Sequence, residues 1–325
     1  MRILRRFLSH WQNWLGLLVV AGFVLVAIAA PVLSPEDPEN PGPIKVVGRV
    51  TDFRPQPPSP EAPLGTLPGQ ASIYHTLVWG TRSAIVFGLA VTAITAVFGV
   101  LIGTSSAYFG GFFNDFMMRI TDAFLAFPVI AGVVLFRQIV TIALSNAGVS
   151  LSFGGLGMVS ATAPGFIYLS EDLSPWLFFL HSLNPVMIAF ILFSWMYYAR
   201  IMNTVVLQIK QTEFVQAARA LGAGHLRLIF RHLIPNAITP VIVLAARDVG
   251  GMVLLQATFT FIGLGGDSLW GMLLVRGRDW IIGPGGNILA YWWVFVPATL
   301  ALVLFGVAWN LLGDGLNDVL NPRTR

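Results

Sequence analysis

The chain of 325 residues has no cysteine, and charged residues of both signs together make up only 10% of it. Without cysteine there is no disulfide framework, no thiol nucleophile and no thiolate metal site. The only lysines, Lys45 and Lys210, stand in Ile-Lys-Val and Ile-Lys-Gln. Neither closes the glycine-rich Gly-Lys-Ser/Thr turn whose amides and lysine hold nucleotide phosphates, so the energy for any active process must come from a partner or a gradient. The five histidines, His10, His75, His181, His225 and His232, form no His-Glu-x-x-His pattern, and no metal site or catalytic set is expected. His225 and His232, seven apart, read as basic residues flanking a helix. What is abundant is apolar: 56% of the residues are hydrophobic and the mean hydropathy is +0.76. That leaves too few charges to cover a soluble globule of this length. The chain reads as an integral membrane protein in contact with lipid. A net charge of +4 does not point to nucleic acid, because the arginines are scattered between apolar spans with no basic stripe interleaved with aromatics.

Six apolar segments are long enough to cross about 30 Å of hydrocarbon as helices. They are expected near Trp14 to Leu33, Ser83 to Tyr108, Ile120 to Leu144, Pro185 to Leu207, Asn236 to Ile262 and Ile288 to Leu312. The first follows the basic stretch Met1 to His10, but its apolar run exceeds a signal-peptide core and reads as an uncleaved span. Ser34 to His75 is rich in proline and carries Glu36, Asp37, Glu39, Asp52 and Glu61, which predicts an extended extracytoplasmic segment. Ser145 to Asn184 is broken by Gly154, Gly155, Gly157, Pro164 and Gly165 and reads as an outside loop with an interfacial or re-entrant helix. An even number of spans places both termini on one side. That side holds Arg2, Arg5, Arg6, Arg119, Lys210, Arg219, Arg227, Arg231, Arg323 and Arg325, against Lys45, Arg49, Arg54, Arg82, Arg276 and Arg278 on the other. The excess of positive residues makes the first side, with both termini, cytoplasmic.

On that side lies a polar, basic, small-residue island, residues 213–235, within the loop 208–235. Ala217, Ala218, Ala220, Gly222 and Ala223 offer a nearly side-chain-free surface on which another backbone can approach. Phe214, Val215 and Leu221 supply apolar anchors, and Glu213 and Arg219 supply orienting polar contacts. Gly222 is placed to end the short helix in the left-handed conformation, and Pro235 suits the first turn of the next span. From the residues alone two readings stay open: a docking surface, or an interfacial helix packed on its own bundle.

Several motifs occur in one order along residues 76–322. Gly80-Thr81-Arg82-Ser83 opens the second span. Tyr108-Phe109-Gly110-Gly111 leads to Met118-Arg119-Ile120-Thr121-Asp122 and Leu125-Ala126-Phe127-Pro128. Then come Glu213-Phe214-Val215-Gln216-Ala217-Ala218-Arg219-Ala220-Leu221-Gly222-Ala223, Phe230 to Asn236, Phe261-Ile262-Gly263-Leu264-Gly265, Trp270-Gly271 and Asn310 to Leu316. Together they resemble the C-type permease of dipeptide and oligopeptide ATP-binding-cassette importers, a family that also includes nickel, glutathione and oligosaccharide systems. Gln216 replaces the usual glutamate of its Glu-Ala-Ala loop. Leu64-Gly65-Thr66 is kept, but Leu67-Pro68-Gly69-Gln70-Ala71 follows where the family has Asp-x-x-Gly-Arg-Asp. The loop at Ser145 to Asn184 is longer than usual, and the proline-rich stretch between Gly265 and Trp270 is absent.

The resemblance implies an all-helical type I importer permease fold with six transmembrane helices. Residues 1–75 would form the first helix and the proline-rich segment. Residues 76–325 would form a five-helix core with the coupling loop 208–235 and an extracytoplasmic insertion at 145–184. It also implies a second, homologous permease, two ATPase subunits carrying ATP and Mg, and a solute-binding protein, all at the cytoplasmic (inner) membrane. The implied ATPase-coupling residues are Glu213, Phe214, Gln216, Ala217, Ala218, Arg219, Ala220, Leu221, Gly222, Ala223 and Pro235. No cofactor is expected on the chain itself. Peptides are the family's commonest cargo, with oligosaccharides or nickel chelates as the alternative. Arg137, Arg247 and Asp248 are candidates for the translocation path, since intramembrane charge is costly unless paired or wet, and Arg247 is a possible partner of Asp248. Arg276, Arg278 and Asp279 are candidates for receptor or substrate contact. Gly99-x-x-x-Gly103 predicts close helix packing. The competing class is a self-sufficient secondary transporter, but no convincing half-to-half repeat is visible, and Asp122 reads as lying near a span end.

Overall fold

The computed structural model describes residues 10–38, 42–49, 51–146, 185–283, 287 and 289–320. The expected insertion at 145–184 lies almost wholly outside them, as do the terminal arginines. Within the described residues the regular structure is helical: α1 Trp11–Leu33, α2 Ile73–Phe109, α3 Gly111–Ala126, α4 Val129–Asn146, α5 Pro185–Leu192, α6 Met196–Ile209, α7 Glu213–Ala220, α8 Thr239–Phe261, α9 Leu269–Gly277 and α10 Trp292–Leu320. Five helical stretches pass as membrane spans by length and composition, and six if the bent pair α3 and α4 counts as one.

Helix α2 runs down the middle, against α1, α3, α5, α6, α8 and α9. Its 37 residues give a rod of about 55 Å, well beyond the hydrocarbon thickness. It begins ten residues before the expected Ser83, because the polar residues of its first turns have partners. Ser72 caps the helix by accepting from the His75 amide at 3.3 Å. The His75 ring lies 2.7 Å from the Ser34 hydroxyl and 3.0 Å from the Gly42 carbonyl, and the Trp79 indole donates to the Ser34 carbonyl at 3.0 Å. Gly80-Thr81-Arg82-Ser83 is therefore helix interior. Gly80 is required there by contact, since a Cβ would lie 2.5 Å from the buried Trp270 ring.

The third expected span is not one helix. α3 and α4 meet at a bend of 92°. Pro128 excludes the helical conformation for the residue before it, and Phe127 accordingly takes φ −85, ψ 128. With α3 starting at Gly111, Asp122 lies in its last third, about 16 Å along the axis, and Arg119 is within the helix. The α5–α6 span is interrupted by a turn at 193–195. α10 starts at Trp292, not Ile288, and continues to Leu320.

Small residues set the close contacts. At Gly99 a Cβ would stand 2.3 Å from Tyr198 Cβ, and at Gly103 2.3 Å from the Ala199 carbonyl oxygen, so α2 and α6 touch backbone to backbone as Gly99-x-x-x-Gly103 predicts. At Gly16 a Cβ would stand 2.8 Å from Leu311 Cβ on α10, and Phe23 packs edge-on against Phe305. α1 is thus an integral part of the bundle. Among its described residues the segment between α1 and α2 forms no helix. It is pinned by Gln70, a buried residue at φ 59. The Gln70 side chain accepts from the Thr66 hydroxyl and donates to the carbonyls of Asp52 and Arg54.

Candidate coupling site

α7 and the turn after it form the surface singled out by the sequence. Glu213 stands in the first turn and Arg219 in the last, each at the end where the helix dipole favours its charge. The helix closes in a Schellman motif: the Gly222 amide donates to the Arg219 carbonyl at 3.0 Å and the Ala223 amide to the Ala218 carbonyl at 3.1 Å. Gly222 has φ +79 and open space around its α-carbon, so glycine is needed there for backbone conformation and not for contact.

Val215 is fully buried in a core with Tyr108, Met202, Val206, Leu228 and Leu233, which corrects its expected role as an outward anchor: it ties α7 to the bundle. Phe214 is 44% exposed and Leu221 89%. Gln216, Ala217, Arg219 and Ala220 are exposed with them, whereas Ala218 and Ala223 pack partly against the core. Gln216 donates to the Gln211 carbonyl at 3.0 Å. The outer face is therefore small and apolar, with a polar residue at either end.

The end of α2 is latched to this surface by pairings the sequence did not announce. The Tyr108 hydroxyl lies 2.7 Å from Nδ1 of His225, the Arg219 guanidinium sits 5.8 Å above the Tyr108 ring, and Lys210 donates to the Ala107 carbonyl at 2.6 Å. These contacts join positions more than a hundred residues apart, so no local pattern announces them. After the turn the chain passes through His225–Arg227, a π-helical segment Leu228–Leu233 and the short Ile234–Ala237. Pro235 does not open the next span as expected. It follows the π-helical segment, which accommodates a residue lacking an amide and crowding the carbonyl four positions back. Pro240 occupies the first turn of α8 instead.

The other candidate residues do not converge. Arg137 lies against the turn at Gly265, where a Cβ would be 3.1 Å from its Nε. Arg247 pairs with Asp314 on α10, and Asp248 accepts from the Tyr198 hydroxyl at 2.5 Å. Arg247 and Asp248 are thus not each other's partners, because successive residues on a helix point about 100° apart. Arg276 is half-buried on α9, and desolvation lowers its pKa; Arg278 and Asp279 form a local ion pair at 3.5 Å. A pair the sequence did not suggest is Asp122 on α3 with Arg200 on α6, at 2.9 Å.

A bundle of helices long and apolar enough to cross a membrane, with a capped, exposed helix at one end, is the build of a multi-pass membrane protein. Residues 96–325 match the family model described as binding-protein-dependent transport system inner membrane component, and the chain belongs to that family. Residues 1–58 match the N-terminal TM domain of oligopeptide transport permease C. The chain is 30% identical to the nickel transport system permease protein of Escherichia coli (strain K12) over 319 residues, covering 97% of this chain and 95% of that one. It is 27% identical to the oligopeptide transport system permease protein of Bacillus subtilis (strain 168), over 98% of this chain and 88% of the relative. Identity to the dipeptide transport system permease protein of Alkalihalophilus pseudofirmus is also 27%, over 95% and 85%. Membership of this family replaces the self-sufficient transporter reading.

Proposed function

We propose that this chain is one of two permease subunits of an ATP-driven importer of di- or oligopeptides, with both termini and α7 in the cytoplasm. ATP and Mg are held by two partner ATPases, and a solute-binding protein delivers the peptide from outside. The observation that carries the reading is the build of α7: Val215 buried, Phe214 and Leu221 exposed, and the C-terminus locked by Gly222. A helix held so firmly from beneath transmits a push as a rigid body, and its small outer residues admit a partner's backbone. Closure of the ATPase dimer moves α7, the latch at Tyr108, Lys210 and Arg219 carries the motion to the end of α2, and the spans rock between inward- and outward-open states. The names of relatives favour peptides as cargo. The 30% identity to a nickel permease supports a second reading, the same machinery importing nickel chelates.

The test is purification of the C-terminally tagged chain from native membranes in mild detergent, with every copurifying protein identified by mass spectrometry. Recovery of a second permease and P-loop ATPases is expected. Gly222→Leu, which forces a side chain into the left-handed region at about 1–2 kcal/mol, is expected to lose the ATPases while keeping the permease partner. A chain recovered alone, under conditions that preserve other membrane complexes, would sink the proposal.

A further inference from the structure

Helix α3 has 16 residues, and only Thr121 among them is buried. It packs on α2 and α6 and leaves the rest of its surface open. Along the seam with α6 two polar rungs join the helices. In the first, Asn203 donates to the Ser106 hydroxyl at 2.8 Å and to the Asn114 side-chain carbonyl at 2.6 Å. In the second, Arg200 pairs with Asp122 at 2.9 Å, with 58% and 51% of the two side chains exposed. Arg200 lies nine residues before Ile209, the end of α6, about 14 Å along the helix from that end and inside a stretch that passes as a membrane span. Ionic side chains half exposed within a span are costly against lipid and belong to a wet or partner-lined cavity.

We propose that Asp122 and Arg200 form a subsite of the translocation pathway that takes the two charged ends of a zwitterionic peptide, Asp122 the ammonium and Arg200 the carboxylate. The proposal rests on the peptide-importer reading above. A dipeptide spans roughly 7 Å between its ends, within reach once the exposed Arg200 side chain rotates away from Asp122. Exchange of one ion pair for two leaves every charge compensated throughout, so no bare charge is formed at membrane depth. When the solute leaves, the internal pair re-forms and competes with rebinding, which keeps occupancy short, as a pathway requires. The planar guanidinium suits a carboxylate in two-point contact.

The test uses the complete complex, purified with its copurifying subunits and reconstituted in vesicles, with uptake of an isotope-labelled dipeptide library as the probe. Asp122→Asn and Arg200→Gln are each expected to lower uptake about tenfold or more, the worth of one charged hydrogen bond. The exchanged pair, Asp122→Arg with Arg200→Asp, is expected to stay low while being recovered with its partners. Uptake restored by that exchange reveals a structural ion pair and overturns the proposal. If the exchanged chain does not assemble, Arg200→Lys decides: it keeps the charge but loses the fork. A severalfold rise in half-saturating peptide concentration supports the subsite, and an unchanged value overturns it. A wild-type complex that imports none of the dipeptides overturns the peptide reading itself and this proposal with it, an outcome distinct from either variant result.

Discussion

At Asp248 a carboxylate on α8 meets the Tyr198 hydroxyl on α6 at 2.5 Å, and Tyr198 is fully buried beside Gly99. The hydroxyl is the donor, so the two partners respond differently to substitution. Tyr198→Phe leaves a polar group in the bundle without its partner and is expected to cost about 1–3 kcal/mol. Asp248→Asn retains a carbonyl oxygen that accepts the same bond and is expected to be close to neutral. Thermal unfolding in detergent separates them: a lower midpoint for the tyrosine variant than for the asparagine one. The reverse order would assign Asp248 a need for its charge that the bond to Tyr198 does not explain. At this scale the sequence showed which residues were out of place in hydrocarbon, namely Arg137, Arg247 and Asp248, but not with whom they pair. The partners of Arg247 and Asp248, Asp314 and Tyr198, lie 67 and 50 residues away.

Among the elements, α7 was readable almost residue by residue, because its features are local: an acidic start, alanines, a basic last turn and a glycine at the cap. The direction of Val215 and, in part, that of Ala218 were misjudged, since burial depends on the core assembled from α2, α6 and the π-helical segment. Val215→Ala is expected to lose about 1.5–3 kcal/mol of buried apolar contact, felt chiefly by the short helix that it anchors. Hydrogen exchange should then be faster at residues 213–220 than in α6 or α8, with weaker retention of copurifying ATPases. Unchanged exchange would mean that the Schellman turn and the Tyr108–His225 latch suffice to hold α7. The bend between α3 and α4 shows the opposite case. Phe127-Pro128 was visible, yet an apolar run on both sides read as one span, because hydropathy adds up composition and takes no account of direction.

For the whole molecule, the asymmetry of positive residues leads to the expectation that the termini and α7 lie on the cytoplasmic side. In the structure α1, α2, α8 and α10 run in senses that agree with one another. Gly16 of α1 meets Leu311 of α10, Gly313 of α10 meets Arg247 in the first half of α8, and Tyr108 of α2 meets His225 before α8, so the start of α1 and the ends of α2 and α10 lie at the end of the bundle that carries α7. A reporter fused after Arg325 is expected to be active only in the cytoplasm, and one inserted at Gly48 only outside. A cytoplasmic signal at Gly48 would require a different number of crossings.

The sequence by itself determined that this is a helical membrane protein, roughly where its spans lie, and where a short capped helix with small residues stands outside them. Those properties depend on composition, on runs about a membrane thick and on turn chemistry within a few residues, all of which act locally. Only the tertiary structure decided that α2 extends to Ile73, that the third span bends by 92°, and that Asp122 and Arg200 face each other on an open seam. Each of these depends on which distant groups satisfy a polar atom or fill a space once the helices have packed. A linear pattern carries no term for such pairings.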